Sequence, residues 1–196
     1  MKVISLAAAV AAALALTACE DGGWFANNAP TTSGPVRTGP MGGTDRQMAV
    51  ASSMSQMTSD YVTWAAMSDM YEIEAGRLAA QKARNPRVKN FAQMMVTDHT
   101  SSSQRLQQAM PSGLTMNMPT QLDAEHQAKL SQLQNAPAGA GFDRMYLQQQ
   151  VMAHEQALAL HQNYGRAGDV PALRNVATSV APVVETHLRE ARTLAR

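Results

Sequence analysis

Histidine and carboxylate side chains are the groups in this chain whose chemistry could define a function, and five histidines are present among its 196 residues. Imidazole together with carboxylate suits Fe, Mn or Zn. The sequence motifs of enzymes built on such residues are missing. In the string HEQALALH, His154 and His161 are seven residues apart instead of the four that zinc-protease ligands need. No serine has a G-x-S-x-G context, and no glycine-rich loop is suited to phosphate. We therefore expect a protein that is not an enzyme.

Methionine and histidine together offer a second chemistry, the binding of copper. The chain has 14 methionines. Met94 and Met95 lie about one turn before His99, and Met116 and Met118 flank an asparagine in a predicted loop. Thioether and imidazole ligands suit Cu(I). Packing between helices is the favoured role of the methionines, because in the main body only Met116 and Met118 lie in a predicted loop where their sulfur atoms could be free. A copper buffer stays open as a function.

Two long helices joined by a tight turn are predicted in the first half of the main body. Thr58 or Ser59 is expected to cap a helix that runs to about Arg84. Asn85 and Pro86 then form a cap followed by proline at the first helical position, so a second helix begins at once. Two helices connected in this way form an antiparallel hairpin. The predicted inner face of the second helix carries Val88, Phe91, Ala92, Met95, His99 and Leu106.

A second pair of long helices is predicted in the last third of the chain. One runs from Phe142 to Tyr164 and is closed by Gly165, a residue type that favours helix ends. Asp169 is expected to cap the other, which runs from about Val170 to Ala195. Between the two pairs lies a long connection, in which Thr120 starts a short helix.

These four long helices and their connections predict an all-α fold, a ferritin-like four-helix bundle. Each helix is on the order of 35 Å long. Bundles that run up-down-up-down need only short loops, whereas ferritin-like bundles join two antiparallel hairpins by one long crossover. The connection over 111–141, with its short helix, favours the ferritin-like topology. No helix carries the ExxH motif that is common among di-iron members.

Three strings of the sequence resemble one known family. They are YEIEAGRLAAQKARNPRVKNFAQMMVTDHT, FDRMYLQQQVMAHEQALAL and the histidine of PVVETHL. In this order they resemble the bacterial envelope family called domain of unknown function 4142, over about residues 58–194. The resemblance implies a ferritin-like fold and an exported location, and it supplies no reaction. The positions that match the recurring polar motifs of the family are Glu72, Asp98, His99, Asp143, His154 and His187.

The heights of these residues along the helices decide which of them can meet. Glu72 lies 13 residues before Asn85 and His99 lies 14 residues after it, so the two are expected to share a layer of the hairpin. By the same count from the second turn, His154 and His187 are offset by about 10 Å, which argues against one four-ligand cluster. The predicted metal site therefore has Glu72, His99 and His154 first, Asp143 and His187 in a second layer, and Asp98 as a secondary residue.

The same polar residues have another explanation, in which they hydrogen-bond to one another inside the bundle and hold the helices in register. The missing ExxH motif favours this explanation. So does the adjacency of Asp98 and His99, whose side chains diverge by about 100° on a helix. The favoured function is accordingly a non-catalytic binding or structural module, and a Glu/His site for Fe, Mn or Zn is the alternative.

The N-terminus predicts an export signal that ends in a lipid anchor. Residues 1–18 combine a lysine with an apolar stretch that is too short and too rich in alanine for a membrane span. Cys19 is the only cysteine, and it follows Leu16, Thr17 and Ala18 as in a bacterial lipobox. The predicted order is a lipoprotein signal peptide over 1–18, a flexible tether over 19–43, a lead-in helix over 44–57 and a ferritin-like domain over 58–196.

Charge and cysteine content limit the partners. The 16 basic and 15 acidic side chains give a net charge of +1, which excludes a strongly basic nucleic-acid binder. A single cysteine excludes an intramolecular disulfide framework. The expected partners are the inner or outer membrane, through the lipid on Cys19, and a protein or cell-wall component in the periplasm.

Lipidation at Cys19 predicts that the protein partitions into the detergent phase of a cell extract. Replacing the residue by Cys19→Ala is expected to release the protein or leave it unprocessed, because the lipid has no other attachment point. Phase partitioning followed by immunoblotting measures this. Detergent partitioning of the mutant equal to that of the wild type would contradict the anchor.

Overall fold

The computed structural model describes residues 43–110 and 118–196, with side chains from residue 56 onward. This part of the chain folds into helices and contains no strand, so the predicted all-α bundle is confirmed. The helices are α1 (Gly43–Lys82), α2 (Pro86–Gln108), α3 (Ala124–Asn135), α4 (Ala140–Ala167) and α5 (Pro171–Leu194). None of these helices has both the length and the apolar character that crossing a membrane requires. The predicted signal peptide, Cys19 and the tether up to residue 42 lie outside the described residues.

Two antiparallel hairpins make up the bundle. The first pairs α1 with α2, the second pairs α4 with α5, and the hairpins meet through contacts of α1 with α4 and of α2 with α5. The α1–α4 pair is antiparallel, since Thr58 contacts Tyr164 while Tyr71, later on α1, contacts Gln149, earlier on α4. The long connection between the hairpins contains α3, which packs on α1 and α4. Two hairpins with one long crossover is the connectivity that ferritin-like bundles have.

The first bundle helix is longer than expected. The predicted lead-in helix over 44–57 is helical, but it is the beginning of α1 and not a separate element. Thr58 lies inside this helix and therefore does not cap it. Its hydroxyl instead hydrogen-bonds the Tyr164 hydroxyl at 2.7 Å and donates to the Asp169 carboxylate. Thr58, whose residue type often caps helices, thus makes a tertiary contact instead.

The boundary between α4 and α5 also differs from the prediction. Gly165 does not close α4, which continues to Ala167 and ends at Gly168. Gly165 is needed for packing, because a Cβ there would lie 3.1 Å from the Thr178 hydroxyl oxygen. Asp169 does not cap α5 either, since Val170 is the N-cap residue and makes no side-chain cap bond.

Helix α2 follows the prediction closely. Asn85 caps it, with its side-chain oxygen accepting from the Arg87 amide at 2.9 Å. The buried residues of α2 are the predicted ones, Val88, Phe91, Ala92, Met95, His99 and Leu106. The short helix α3 starts later than predicted, because Asp123 and not Thr120 is its N-cap residue.

The interior has a polar middle between two apolar clusters. One cluster, around Tyr71, Phe91 and Tyr146, fills the end of the bundle that contains the α1–α2 turn. The other, around Tyr61 and Leu173, fills the opposite end. Between them each long helix contributes at least one buried polar or charged side chain. These are Asp69 and Glu72 from α1, His99 from α2, Gln150, His154 and His161 from α4, and His187 from α5.

A close approach of α1 and α2 at Gly76 fixes the first hairpin. A Cβ at Gly76 would lie 2.9 Å from the Ala92 carbonyl oxygen, so we expect Gly76→Ala to destabilise the protein by about 1 to 3 kcal/mol through overpacking. Gly141→Ala is the matched control, because a Cβ there meets nothing within 4 Å and the change favours a helix. Urea unfolding of both variants tests the packing. Equal stability of Gly76→Ala and the wild type would contradict it.

Candidate metal centre

Three histidines from three different helices converge in the polar middle of the bundle. His99 comes from α2, His154 from α4 and His187 from α5, and all three are buried. Their ring centroids form a nearly regular triangle with sides of 5.5, 5.8 and 5.5 Å. Each offers a ligand atom, and these atoms lie within 4.8 Å of one another. Nitrogens bound tetrahedrally to one zinc ion lie about 3.3 Å apart, so binding an ion would draw the three rings closer together.

A hydrogen bond holds one nitrogen of each ring. His99 Nδ1 contacts Asp69 Oδ1 at 2.8 Å, and His187 Nε2 contacts Asp98 Oδ2 at 2.9 Å. His154 Nδ1 donates to the backbone carbonyl of Gln150 at 2.9 Å. Partners of this kind orient metal-binding histidines and fix which ring nitrogen carries the proton.

The other nitrogen of each ring has no hydrogen-bond partner among the described residues. These atoms are His99 Nε2, His154 Nε2 and His187 Nδ1, and all three are buried. In a neutral imidazole whose first nitrogen donates a hydrogen bond, the second carries a lone pair. Leaving such a buried acceptor unpaired costs about 1 to 3 kcal/mol. Three buried lone pairs without partners, on neighbouring rings that each offer a ligand atom within 4.8 Å of the others, are suited to a metal ion.

Burial keeps these imidazoles neutral. It lowers the pKa of His99 to about 3 and the pKa of His154 well below its ordinary value, and the pKa of His187 is lowered for the same reason. At neutral pH the contact of His99 with Asp69 is therefore a hydrogen bond to a neutral ring and not an ion pair. The neutral ring is also the form that binds metal.

Glu72 lies behind the histidines instead of among them. It is fully buried, and its Oε2 accepts from Gln150 Nε2 at 2.6 Å. Its Oε1 has no hydrogen-bond partner among the described residues and lies 3.7 Å from His154 Nδ1, the nitrogen that is already hydrogen-bonded. Glu72 does not belong to the group of residues that could share an ion. Asp69, about one turn earlier on α1, is the carboxylate that contacts His99. The predicted first choice of Glu72 beside His99 is thus replaced by Asp69.

His187 and Asp143 are also placed differently from the prediction. The expected offset of about 10 Å between His154 and His187 is absent, because α4 does not end at Gly165. Gly165 lies against Ala177. His154 lies eleven residues before Gly165 on α4, and Leu188, the neighbour of His187, lies eleven residues after Ala177 on α5. Asp143 is at the end of the bundle, where its two carboxylate oxygens accept from the amides of residues 84 and 85 at 2.9 Å each. It stabilises the α1–α2 turn.

Two residues of the site were not predicted from the sequence. Asp69 lies on the buried face of α1, which is otherwise mainly apolar. A carboxylate among the apolar residues of one helix face was the sequence signal that could have identified it. Gln150 contributes its backbone carbonyl. A backbone contact of this kind does not depend on the residue type, so the sequence cannot indicate it. Asp98, predicted as a secondary residue, holds His187. The methionines beside the site pack, since Met95 lies in the first apolar cluster and Met94 packs against it.

The remaining two histidines lie apart from the triangle. His161 Nδ1 contacts the Tyr61 hydroxyl at 3.2 Å. His126 is buried against Tyr71, and its Nδ1 lies 2.8 Å from Asp123. Neither belongs to the group of residues that could share an ion.

A groove between α2 and α5 reaches the site from the surface. It has a volume of about 180 Å³, and His99 and His187 form part of its lining. The rest of the lining is Asp98, Ser101, Ser102, Arg105, Val180, Val183 and Val184. The groove therefore brings the surface close to two of the three rings, whose free nitrogens are themselves buried.

A family model described as "Domain of unknown function (DUF4142)" matches residues 43–194. The chain belongs to the DUF4142 family. This confirms the family inferred from the three sequence strings. The matched region begins where α1 begins, so the segment 44–57 is part of the DUF4142 domain. No curated protein and no solved structure matches the chain.

The buried titratable groups predict that the metal-free protein is most stable near pH 6.5. Below that pH an unfolded histidine takes up a proton that the folded state excludes, because burial lowers the pKa of His99 to about 3 and of His161 to about 4. Above it, stability falls because Asp69 and Glu72 hold protons in the folded state that they have already lost in the unfolded state. Burial raises the pKa values of these two groups to about 7 and about 8.

Unfolding by urea in the presence of EDTA, between pH 5 and pH 8.5, measures both limbs. Each histidine contributes up to about 1.4 kcal/mol per pH unit on the acid limb, and the two carboxyl groups partly offset this. Glu72→Gln is expected to flatten the alkaline limb and to make the acid limb steeper, because the carboxyl group that partly offset the histidines is gone. A stability that rises steadily from pH 5 to pH 8.5 would contradict the assignment.

Proposed function

We propose that this protein binds a transition-metal ion through His99, His154 and His187. The observation that carries the proposal is the set of three buried ring nitrogens that converge without hydrogen-bond partners. A purely structural polar core explains the bonded nitrogens of these rings, but it leaves the three others unpaired at a cost. A metal ion satisfies all three at once.

The ligand set supports Zn²⁺ or Cu²⁺ over Mn²⁺. All three inner ligands are nitrogens, whereas Mn²⁺ sites are rich in oxygen, and Cu²⁺ and Zn²⁺ have the higher affinity for imidazole. Ferritin-like iron sites are built largely from glutamates. Here the carboxylates of Asp69 and Asp98 lie one shell further out, on the bonded nitrogens of His99 and His187. The open side toward the groove resembles zinc sites that keep a fourth position free.

Export and lipid anchoring are part of the same proposal. Their support is the signal-like segment over 1–18 and the single Cys19 in a lipobox context. With them, the protein is a periplasm-facing metal-binding lipoprotein. Phase partitioning of the Cys19→Ala variant tests this part separately from the metal centre.

Metal analysis of the purified protein tests the centre. After chelator treatment and dialysis against Zn²⁺ or Cu²⁺, we expect about one ion per chain and a rise in Tm. At a free ion concentration of 100 Kd the stabilisation is about 2.7 kcal/mol. His187→Ala is expected to remove both effects, and His126→Gln, on α3, is the matched control that keeps them.

A second variant tests the metal centre without removing a buried side chain. Asp98 is half-exposed and contacts the site only through His187, so Asp98→Ala preserves the core and is expected to weaken metal affinity about 10- to 100-fold. Circular dichroism checks that each variant is folded. Folded wild-type protein that takes up neither ion, or equal metal binding by folded His187→Ala, would overturn the proposal.

A further inference from the structure

We infer that the groove between α2 and α5 binds a small carboxylate that carries a short apolar group, with its oxygen in the fourth coordination position of the metal. This inference rests on the proposed metal centre. It adds the class of ligand that the centre takes.

The groove leads to the side of the triangle that is formed by His99 and His187. These two rings line the groove, whereas His154 does not, and the free nitrogens of all three rings are buried. An ion bound by the three imidazoles would therefore lie behind the rings of His99 and His187, at the inner end of the groove. With about 180 Å³ the groove has room for several water molecules or for one small organic ligand.

Arg105 and Ser101 supply the hydrogen-bond donors of the groove. Both are on α2, on the side that faces α5. In the part of the chain that the structure describes, neither side chain has a hydrogen bond or ion pair. Ser102 is different, because its hydroxyl acts on Asp69 and lowers the pKa of that carboxyl against the larger effect of burial. A guanidinium and a free hydroxyl beside a metal position are suited to the two oxygens of a carboxylate.

Valines form the opposite wall of the groove. Val180 and Val184 are buried, and Val183 is 39% exposed, which makes it one of the few large apolar side chains on the surface of the described residues. An inorganic anion gains nothing from such a wall. A carboxylate with a short branched chain buries its methyl groups there, and each buried carbon contributes about a fourfold gain in affinity.

The charge of the groove allows an anion once the metal is present. Asp98 is the one acidic residue of the lining, and its carboxylate accepts from His187. A divalent ion beside His187 adds two positive charges to that of Arg105. Anion binding is therefore expected in the metal-loaded protein and not in the metal-free protein.

Titration of the Co²⁺-loaded full-length protein with isobutyrate, acetate and inorganic phosphate tests the inference, because the visible absorption of Co²⁺ reports changes in its ligands. We expect isobutyrate to shift the spectrum and to bind about tenfold more tightly than acetate. Arg105→Gln is expected to weaken isobutyrate about tenfold or more. Arg87→Gln, an equal loss of charge at an exposed position of α2 outside the groove, is expected to bind as the wild type does.

A second variant tests the wall. Val183→Ser lies at an exposed position, so it is compatible with folding, and it is expected to reduce the preference for isobutyrate over acetate. Bound Co²⁺ with a spectrum that no anion changes would overturn the anion site alone and leave the metal centre standing. A response to phosphate only, or equal binding by Arg105→Gln, would overturn the carboxylate assignment. Failure to bind Co²⁺ would overturn the centre and this inference together.

Discussion

A buried imidazole nitrogen without a partner is costly, and the interior of this protein holds three of them. At about 1 to 3 kcal/mol for each, the total is comparable with the whole stability of a small domain, about 5 to 15 kcal/mol. Each ring is nevertheless fixed by a hydrogen bond on its other nitrogen, two of them to Asp69 and Asp98. The arrangement lowers the stability of the fold and leaves three lone pairs on rings whose orientation is fixed.

The rest of the fold makes that arrangement tolerable. Apolar clusters around Tyr71 at one end and Leu173 at the other hold the helices together on both sides of the polar middle. Close helix contacts at Gly76 and Gly165 set the register of the two hairpins. Each histidine has a fixed position along its helix. The register between the four long helices therefore decides whether the histidines meet.

Much of the fold could be predicted from the sequence, and the reasons are local. Asn85 and Pro86 signalled the first turn, and the spacing of apolar residues identified the buried face of α2, including His99. The second hairpin was misjudged because Gly165 suggested a helix end, while its real role, contact with α5, depends on a partner helix that is distant in sequence. An error of a few residues in the predicted end of α4 placed His187 in the second layer of the predicted metal site.

The choice between Glu72 and Asp69 shows the same limit within one helix. The two lie about one turn apart on α1 and both are buried, and a height counted from the turn is not accurate enough to choose between them. Only the positions of the neighbouring side chains do. Asp69 reaches the ring of His99, whereas Glu72 is held by Gln150.

The distribution of the three histidines over the chain has a consequence for assembly. His99 belongs to the first hairpin, whereas His154 and His187 belong to the second, and the two halves are covalently joined only through the crossover. A bound ion would act as a clasp between them. If the chain were cleaved within the crossover, the two fragments would associate with an affinity that depends on the ion, and the metal would then behave as a switch for fragment complementation.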